Sequence, residues 1–360
     1  MRLIIDSHLD LAWNAVGWDR DLNLSVAEMN AAEKDHTDHI SRAKGTVTLP
    51  ELRRGGIAVS VATVLYHERP AAGIPNAHLR LSLDSTTPAV TYAQGRAQLE
   101  YYRALEDVGT LRQISTATAL DKHWSEWEQG DDAPLGYILS MEGADPILHP
   151  AQAERWWNDG LRVTSLIHYG KNQYAVGTGF EGPVSQRGFE LLDEFSRLGM
   201  MLDVTHLSDE SFFQALDHFS GPVLATHNNC RALVPGQRQF SDEQLRLLIE
   251  RGAVIGSAFD SWMLYPGWRR GETDRGVVSI DAAADHVDHI CQLAGNADHV
   301  ALGTDLDGGF GTEQTPVGLD TIADLQKLDG IFAARGYDEG TINKVFHGNW
   351  LRYFREHLPA

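Results

Sequence analysis

Cysteine is nearly missing from this chain: Cys230 and Cys291 are the only two in 360 residues. That rules out a disulfide framework and makes a reducing compartment, the cytoplasm, the expected setting. Long apolar runs are also lacking. The first one, Leu3 to Ile5, stops at Asp6, too short for a secretory leader or a transmembrane helix. The terminal "LRYFREHLPA" has no apolar tail of the kind that precedes a lipid anchor. Basic residues are scarce, 30 against 50 acidic ones, for a net charge of -20. Such a surface repels nucleic acid and anionic membranes, so neither is an expected partner. No repeat, low-complexity tract or Gly/Ser/Pro linker breaks the chain. One domain over residues 1–360 is expected, although the length exceeds that of most single domains.

What the chain does contain is a recurring alternation. Eight short apolar runs stand out: "RLIIDSHLD", "GIAVSVATVLY", "LGYILSMEG", "RVTSLIHYG", "MMLDVTHLS", "GPVLATHNN", "GAVIGSAFD" and "HVALGTDLDGG". Between them lie stretches such as "QRGFELLDEFSRLG", "SDEQLRLLIERG" and "IDAAADHVDHICQLAG", with apolar residues at helical spacing. Strands alternating with amphipathic helices predict an α/β fold, a (β/α)8 barrel. Residues 11–56 and about 67–134 are longer than single crossovers require. Extra helices are expected in both connections, "TPAVTYAQGRAQLEYYRALEDVG" being the clearest.

Six of the eight runs bring these histidines and carboxylates to their ends: His8 and Asp10, Glu142, His168, His206, His227 and Asp305, apart from Asp260 at the end of the seventh. In a (β/α)8 barrel those ends converge on one face, where active sites are built. Imidazoles with carboxylates form a donor set suited to Zn²⁺, with Mn²⁺, Co²⁺ or Fe²⁺ as other occupants. A lone histidine at a strand end is more often a hydrogen-bonded structural residue. Several on converging strands are hard to explain as independent accidents. One Glu shared by two cations would let five ligands serve a pair, with a bridging water as nucleophile. His286 and His289, at helical spacing, read as surface or packing residues. His36 and His39 lie in a polar loop and stay unassigned, and Cys230 reads as a buried thiol rather than a ligand.

Longer motifs carry a resemblance across nearly the whole chain. With "DSHLDLAW", "SMEGADP", "LIHYGKN", "LGMMLDVTHLS", "ATHNNCRALVPGQRQ", "DHVDHICQLAGNADHVALGTDLDGG" and "HGNWLRYF", it resembles the membrane or renal dipeptidase family, peptidase family M19. The resemblance implies two divalent metal ions, with Zn²⁺ the expected one. One is held by His8, Asp10 and Glu142, the other by His206, His227 and the same Glu142. It implies a metal-bridging hydroxide as nucleophile, Asp305 as the catalytic acid that moves a proton, and His168 at the scissile bond. Arg238 is implied as the grip on a substrate carboxylate, with Arg231 a rival close by. The implied substrate is a dipeptide, including those with a D-residue at the C-terminal position. Dimers are common in the family, so a homodimer is the expected assembly, though no interface is legible.

Departures touch the substrate pocket. Where the family commonly has Gly-Gly-His after the bridging Glu, this chain has Gly143, Ala144 and Asp145, and Arg238 is followed by Gln239. Asp260 stands at the end of the seventh run, where mammalian members have an aromatic residue. Competing readings are an N-acyl-amino-acid amidohydrolase or lactonase on the same metal platform, or a non-catalytic metal-binding relative. Asp6 shares a strand face with His8 and Asp10 but lies deeper, about 6–7 Å from the next same-face position. It is expected to be a supporting acid that hydrogen-bonds a ligand histidine.

Overall fold

The computed structural model describes residues 1–69, 83–130 and 132–360. All eight apolar runs form parallel strands: β1 (Ile4–Leu9), β2 (Ile57–Val64), β3 (Leu135–Met141), β4 (Val163–Ser165), β5 (Met201–Asp203), β6 (Val223–Leu224), β7 (Ile255–Ser257) and β8 (Val300–Leu302). β1 to β6 pair in chain order as one sheet, β7 pairs with β8, and an Ala225–Ile255 bridge joins the two sets. A short extra strand, Leu111–Gln113, pairs with the start of β3, while the end of β3 pairs with β4. β1, β2 and β3 are buried along their whole length, as strands covered on both faces must be. The chain is therefore a (β/α)8 barrel.

The seam between β8 and β1 is closed by side chains. Asp6 accepts hydrogen bonds from Thr304 N (2.9 Å) and Thr304 Oγ1 (2.6 Å). Ser7 Oγ lies 2.5 Å from Thr226 O and 3.0 Å from Leu302 O. This crowding explains two glycines. A Cβ added at Gly256 or Gly303 would come within 2.0 or 1.9 Å of Thr226 O, so neither position has room for a side chain.

Helices wrap the strands where the spacing predicts them. In chain order they include α1 (Leu11–Trp18), α2 (Val26–Ala32), α3 (Leu49–Arg54), α4 (Pro88–Asp107), α5 (Ala117–Glu128), α6 (Gln186–Leu198), α7 (Asp209–His218), α8 (Asp242–Glu250), α9 (Asp281–Ala294) and α10 (Asn349–His357). Ser185 caps α6 by accepting from Gly188 N, and Gly199 ends it with φ 75°. Ser241 and Gln244 form a capping box on α8. The expected extra helices are present as α1 to α3 after β1 and as α4 and α5 after β2. Residues 70–82 and 131, within the second expected elaboration, lie outside the described residues.

The β1 connection is pinned over the barrel mouth by a buried charge network. Glu33 accepts from Arg20 Nε (3.0 Å) and Arg42 Nη1 (2.5 Å). Both guanidinium groups lie over the Trp18 indole, at 4.5 and 5.0 Å from the ring centroid. Arg20 also lies 3.5 Å from Asp307, in the loop after β8. Asp307 in turn accepts from Thr46 N, Thr46 Oγ1 and Val47 N. The second acid of "TDLDGG" is thus spent on holding this connection in place.

Candidate metal centre

The strand ends deliver their polar side chains to one volume. His8 and Asp10 come from the end of β1 and Glu142 from the end of β3. His168, His206, His227 and Asp305 lie just past β4, β5, β6 and β8. The remaining two strands, β2 and β7, lead to His67 and Asp260. His206 and Asp305 have left-handed backbones, φ 70° and 61°, a conformation that non-glycine residues adopt at some cost.

The two oxygens of Glu142 face different groups. Oε1 is 3.1 Å from His206 Nε2, 3.3 Å from His227 Nε2 and 3.7 Å from His168 Nε2. Oε2 is 3.5 Å from His8 Nε2, which is also 3.8 Å from both Asp10 Oδ2 and Asp305 Oδ1. Three overlapping sets place their donor atoms within metal-sharing distance. They are His8, Glu142 and His227; Glu142, His168 and His206; and His8, Asp10 and Asp305. Distance alone therefore adds His168 and Asp305 to the five expected ligands. The five themselves are brought together, and all are buried.

The electrostatics fit a cation. Burial alone would raise the Glu142 carboxyl, but the imidazoles of His168, His8 and His206 outweigh it and hold it well below the usual range. Burial likewise opposes charge on His8, yet Glu142, Asp10 and Asp305 together push its imidazole up to about 10. Burial raises Asp305 well above the ordinary carboxylate value, with Glu142 and Asp10 adding to the rise. Converging carboxylates draw positive charge, and buried His8 Nε2 has no hydrogen-bond partner. A divalent metal that displaced the His8 proton would take its Nε2 lone pair and answer the same carboxylate charge.

The outer nitrogens of these imidazoles are held by residues the sequence did not single out. Thr226 Oγ1 lies 2.6 Å from Asp203 Oδ2, 3.0 Å from His227 Nδ1 and 3.3 Å from His8 Nδ1. Asp203 also accepts from Thr205 N and Thr226 N. A hydroxyl that donates to a carboxylate is free to accept from both rings. It thereby keeps the proton on each Nδ1 and turns each Nε2 lone pair inward. Thr178 Oγ1 meets His206 Nδ1 at 2.8 Å, and Thr63 Oγ1 bonds Asp10. Asp6 does support a ligand histidine, through the backbone N–H of His8 (3.1 Å) rather than its ring.

Above the carboxylates opens a cavity of about 380 Å³, walled by Trp13, Trp262, Trp268, Tyr169 and Met263. Arg238, Asp260, Arg270 and Gln314 supply its polar lining, with His168 and Asp305 at the floor. Arg238 is buried; its Nη2 donates to His227 O at 3.0 Å, while Nη1 has no partner. Arg231 is spent elsewhere, on a two-pronged pair with Asp209 (2.8 and 2.7 Å) and on backbone carbonyls. It does not line the cavity. Asp260 accepts from Gln314 Nε2 at 2.7 Å, and Gln314 in turn accepts from Arg270 Nε. Asp145 lies outside the cavity lining; it ties the loops after β2 and β4 by accepting from Glu68 N and Asn172 Nδ2. Gln239 is buried and donates to Met263 O. Cys230 and His286 are buried together, with Cys230 N donating to His286 Nδ1 at 3.0 Å, and neither approaches the ligand set. His289 instead pairs α9 with α8 through Asp242.

Comparison with known proteins extends this picture. Dipeptidase aclJ of Aspergillus oryzae is 29% identical over 88% of this chain and 71% of its own length. An uncharacterised protein from the pqqA 5′ region of Klebsiella pneumoniae is 33% identical over 63% of this chain and 76% of its own. Dipeptidase verJ of Clonostachys rogersoniana and tcpJ of Claviceps purpurea match over 66% and 50% of their lengths. Among solved structures, a metallopeptidase from Rhodobacter sphaeroides bound to a phosphinate mimic of L-Ala-D-Ala superposes with a TM-score of 0.77. It is 23% identical, with 99% of both chains covered. Dipeptidase AC, a metallopeptidase of family M19, gives a TM-score of 0.78 at 22% identity over 100% of this chain and 99% of its own. The family profile described as "Membrane dipeptidase (Peptidase family M19)" matches residues 2–358. With that match spanning strand ends, ligand set and cavity alike, the chain belongs to the membrane dipeptidase family, peptidase family M19.

Proposed function

We propose that this protein is a binuclear-metal dipeptidase. The observation that carries this reading is the division of Glu142: one carboxylate oxygen faces His206 and His227, the other faces His8. His8, Asp10 and Glu142 would hold one ion, and His206, His227 and Glu142 the other. Zinc is the metal this imidazole and carboxylate set favours. When bound, such ions polarise a carbonyl and activate water at neutral pH.

The chain's own groups supply the rest. Arg238 Nη1, buried and unpartnered at the cavity wall, suits a substrate carboxylate. That favours a short substrate with a free C-terminus over an internal peptide bond. His168 Nε2, which lines the cavity 3.7 Å from Glu142 Oε1, would meet the scissile bond. Asp305 has a pKa pushed upward by burial, which suits it to hold a proton at Oδ1 and pass it to the leaving amine. The tryptophan-lined wall gives the substrate an apolar flank. The Rhodobacter structure, bound to a mimic of L-Ala-D-Ala, supports acceptance of a D-residue at the C-terminal position. The two free cysteines support a reducing, cytoplasmic setting.

The test is a panel of dipeptides with L- and D-residues at the C-terminal position, beside N-acyl amino acids and lactones, assayed on zinc-loaded protein. Release of free amino acids from several dipeptides is expected. Turnover of N-acyl amino acids or lactones with every dipeptide inert would replace the reading with an amidohydrolase or lactonase. No turnover of any of them would leave a non-catalytic metal-binding relative.

A further inference from the structure

His168 has a second partner. Its Nδ1 lies 2.9 Å from Nε2 of His67, and Nδ1 of His67 lies 3.1 Å from Asp84 Oδ1. His67 follows the end of β2 by three residues and is 5% exposed. The two imidazoles meet edge to edge, with centroids 4.9 Å and planes 20° apart. Asp84 is further paired with Arg69 Nε at 3.3 Å. Burial alone would raise the Asp84 carboxyl, but His67 and Arg69 outweigh it and hold it below its ordinary value. Asp84 is therefore an ionised acceptor.

With His67 as a neutral imidazole, these partners set each proton. A carboxylate only accepts, so His67 Nδ1 carries the N–H and His67 Nε2 is a lone pair. That lone pair requires the N–H on His168 Nδ1. The remaining nitrogen of His168, Nε2, is the one that lines the cavity and lies 3.7 Å from Glu142 Oε1. We propose that Asp84 and His67 form a relay that fixes the tautomer and ring plane of His168. It keeps Nε2 of His168 as the nitrogen presented to the substrate. His67 is then a positioning residue, acting only through His168. An apolar residue at 67 would leave the His168 N–H unpaired and the ring free to exchange its two nitrogens. The assignment of a substrate-facing role to His168 rests on the dipeptidase reading; the relay itself rests on the three side chains.

Two variants of the full-length, zinc-loaded protein separate positioning from packing. His67→Leu keeps bulk but accepts no hydrogen bond, while His67→Gln offers its amide oxygen to His168 Nδ1. For His67→Leu, kcat on a dipeptide is expected to fall about 10- to 100-fold, with KM shifted less than about threefold. His67→Gln is expected to recover most of the loss, with bound zinc unchanged in both. In the wild type, ¹⁵N-histidine NMR, with His168 assigned through His168→Gln, is expected to show its proton on Nδ1. An unaltered kcat in His67→Leu, equal impairment of the Leu and Gln variants, or a wild-type His168 protonated on Nε2 alone would each overturn the relay. If wild-type protein cleaves no dipeptide, the functional reading fails while the NMR measurement still decides the relay. That spectrum also decides it if His67→Leu does not fold.

Discussion

Thr226 shows how much a single uncharged side chain contributes to this centre. Its hydroxyl stands between Asp203 and the outer nitrogens of His8 and His227, so one group sets the tautomer of two ligands. Thr226→Val keeps the shape and removes the bridge. Metal affinity is expected to drop about 10- to 100-fold, measured by competition with a chelator, with little change in far-UV circular dichroism. Asp305 behaves differently if it moves a proton rather than holding metal. Asp305→Asn should lower kcat by about 10²- to 10⁴-fold with metal content intact. Loss of an ion instead would make Asp305 chiefly a ligand, which its place beside His8 and Asp10 also permits. The sequence exposes Asp305 because an acid ending an apolar run is a local signal. It hides Thr226 and His67 because their meaning lies in partners 23 and 101 residues away.

At the level of elements, the barrel is legible because strand and helix periods are properties of short windows. Every apolar run became a strand and each quoted amphipathic stretch a helix. The closure of β8 on β1 was not legible, since Asp6 meets Thr304 across 298 residues. Packing there is tight enough to predict from geometry. Gly303→Ala would set a methyl 1.9 Å from Thr226 O and 2.4 Å from Ser7 Oγ, costing about 2–3 kcal/mol of stability, measurable by urea unfolding. The loop after β7 carries a pH signature. Burial raises Asp260 from the ordinary carboxylate value to about 7, against the bonds from Gln314 and Trp262. The folded chain thus keeps a proton that the unfolded chain releases, and stability from this group falls as pH rises from the carboxylate range through about 7. Asp260→Asn removes that loss. Its stability relative to wild type should rise by a few kcal/mol between about pH 4 and about pH 8, each tenfold change in proton affinity on folding being worth about 1.4 kcal/mol. The reverse slope would place an ionised Asp260 in the fold.

Across the whole molecule, the (β/α)8 barrel gathers the five buried side chains proposed as ligands from four strand ends that are far apart in sequence. The long β1 connection is fixed over the mouth by Arg20, Arg42, Glu33 and Trp18. The convergence of these side chains was readable because strand ends of a barrel share one face. The cavity wall was readable only in part, because Trp262 comes from a four-residue helix, Ser261–Leu264, and Trp268, Arg270 and Gln314 from connecting segments, all too short or irregular for a periodic pattern. The central claim is that two ions shared by Glu142 make one catalytic unit. Titrating metal-free protein with zinc while recording bound metal and dipeptide hydrolysis tests it most directly. Activity should climb to a plateau at two equivalents per chain; a plateau at one equivalent, or two ions bound with no hydrolysis, would contradict it.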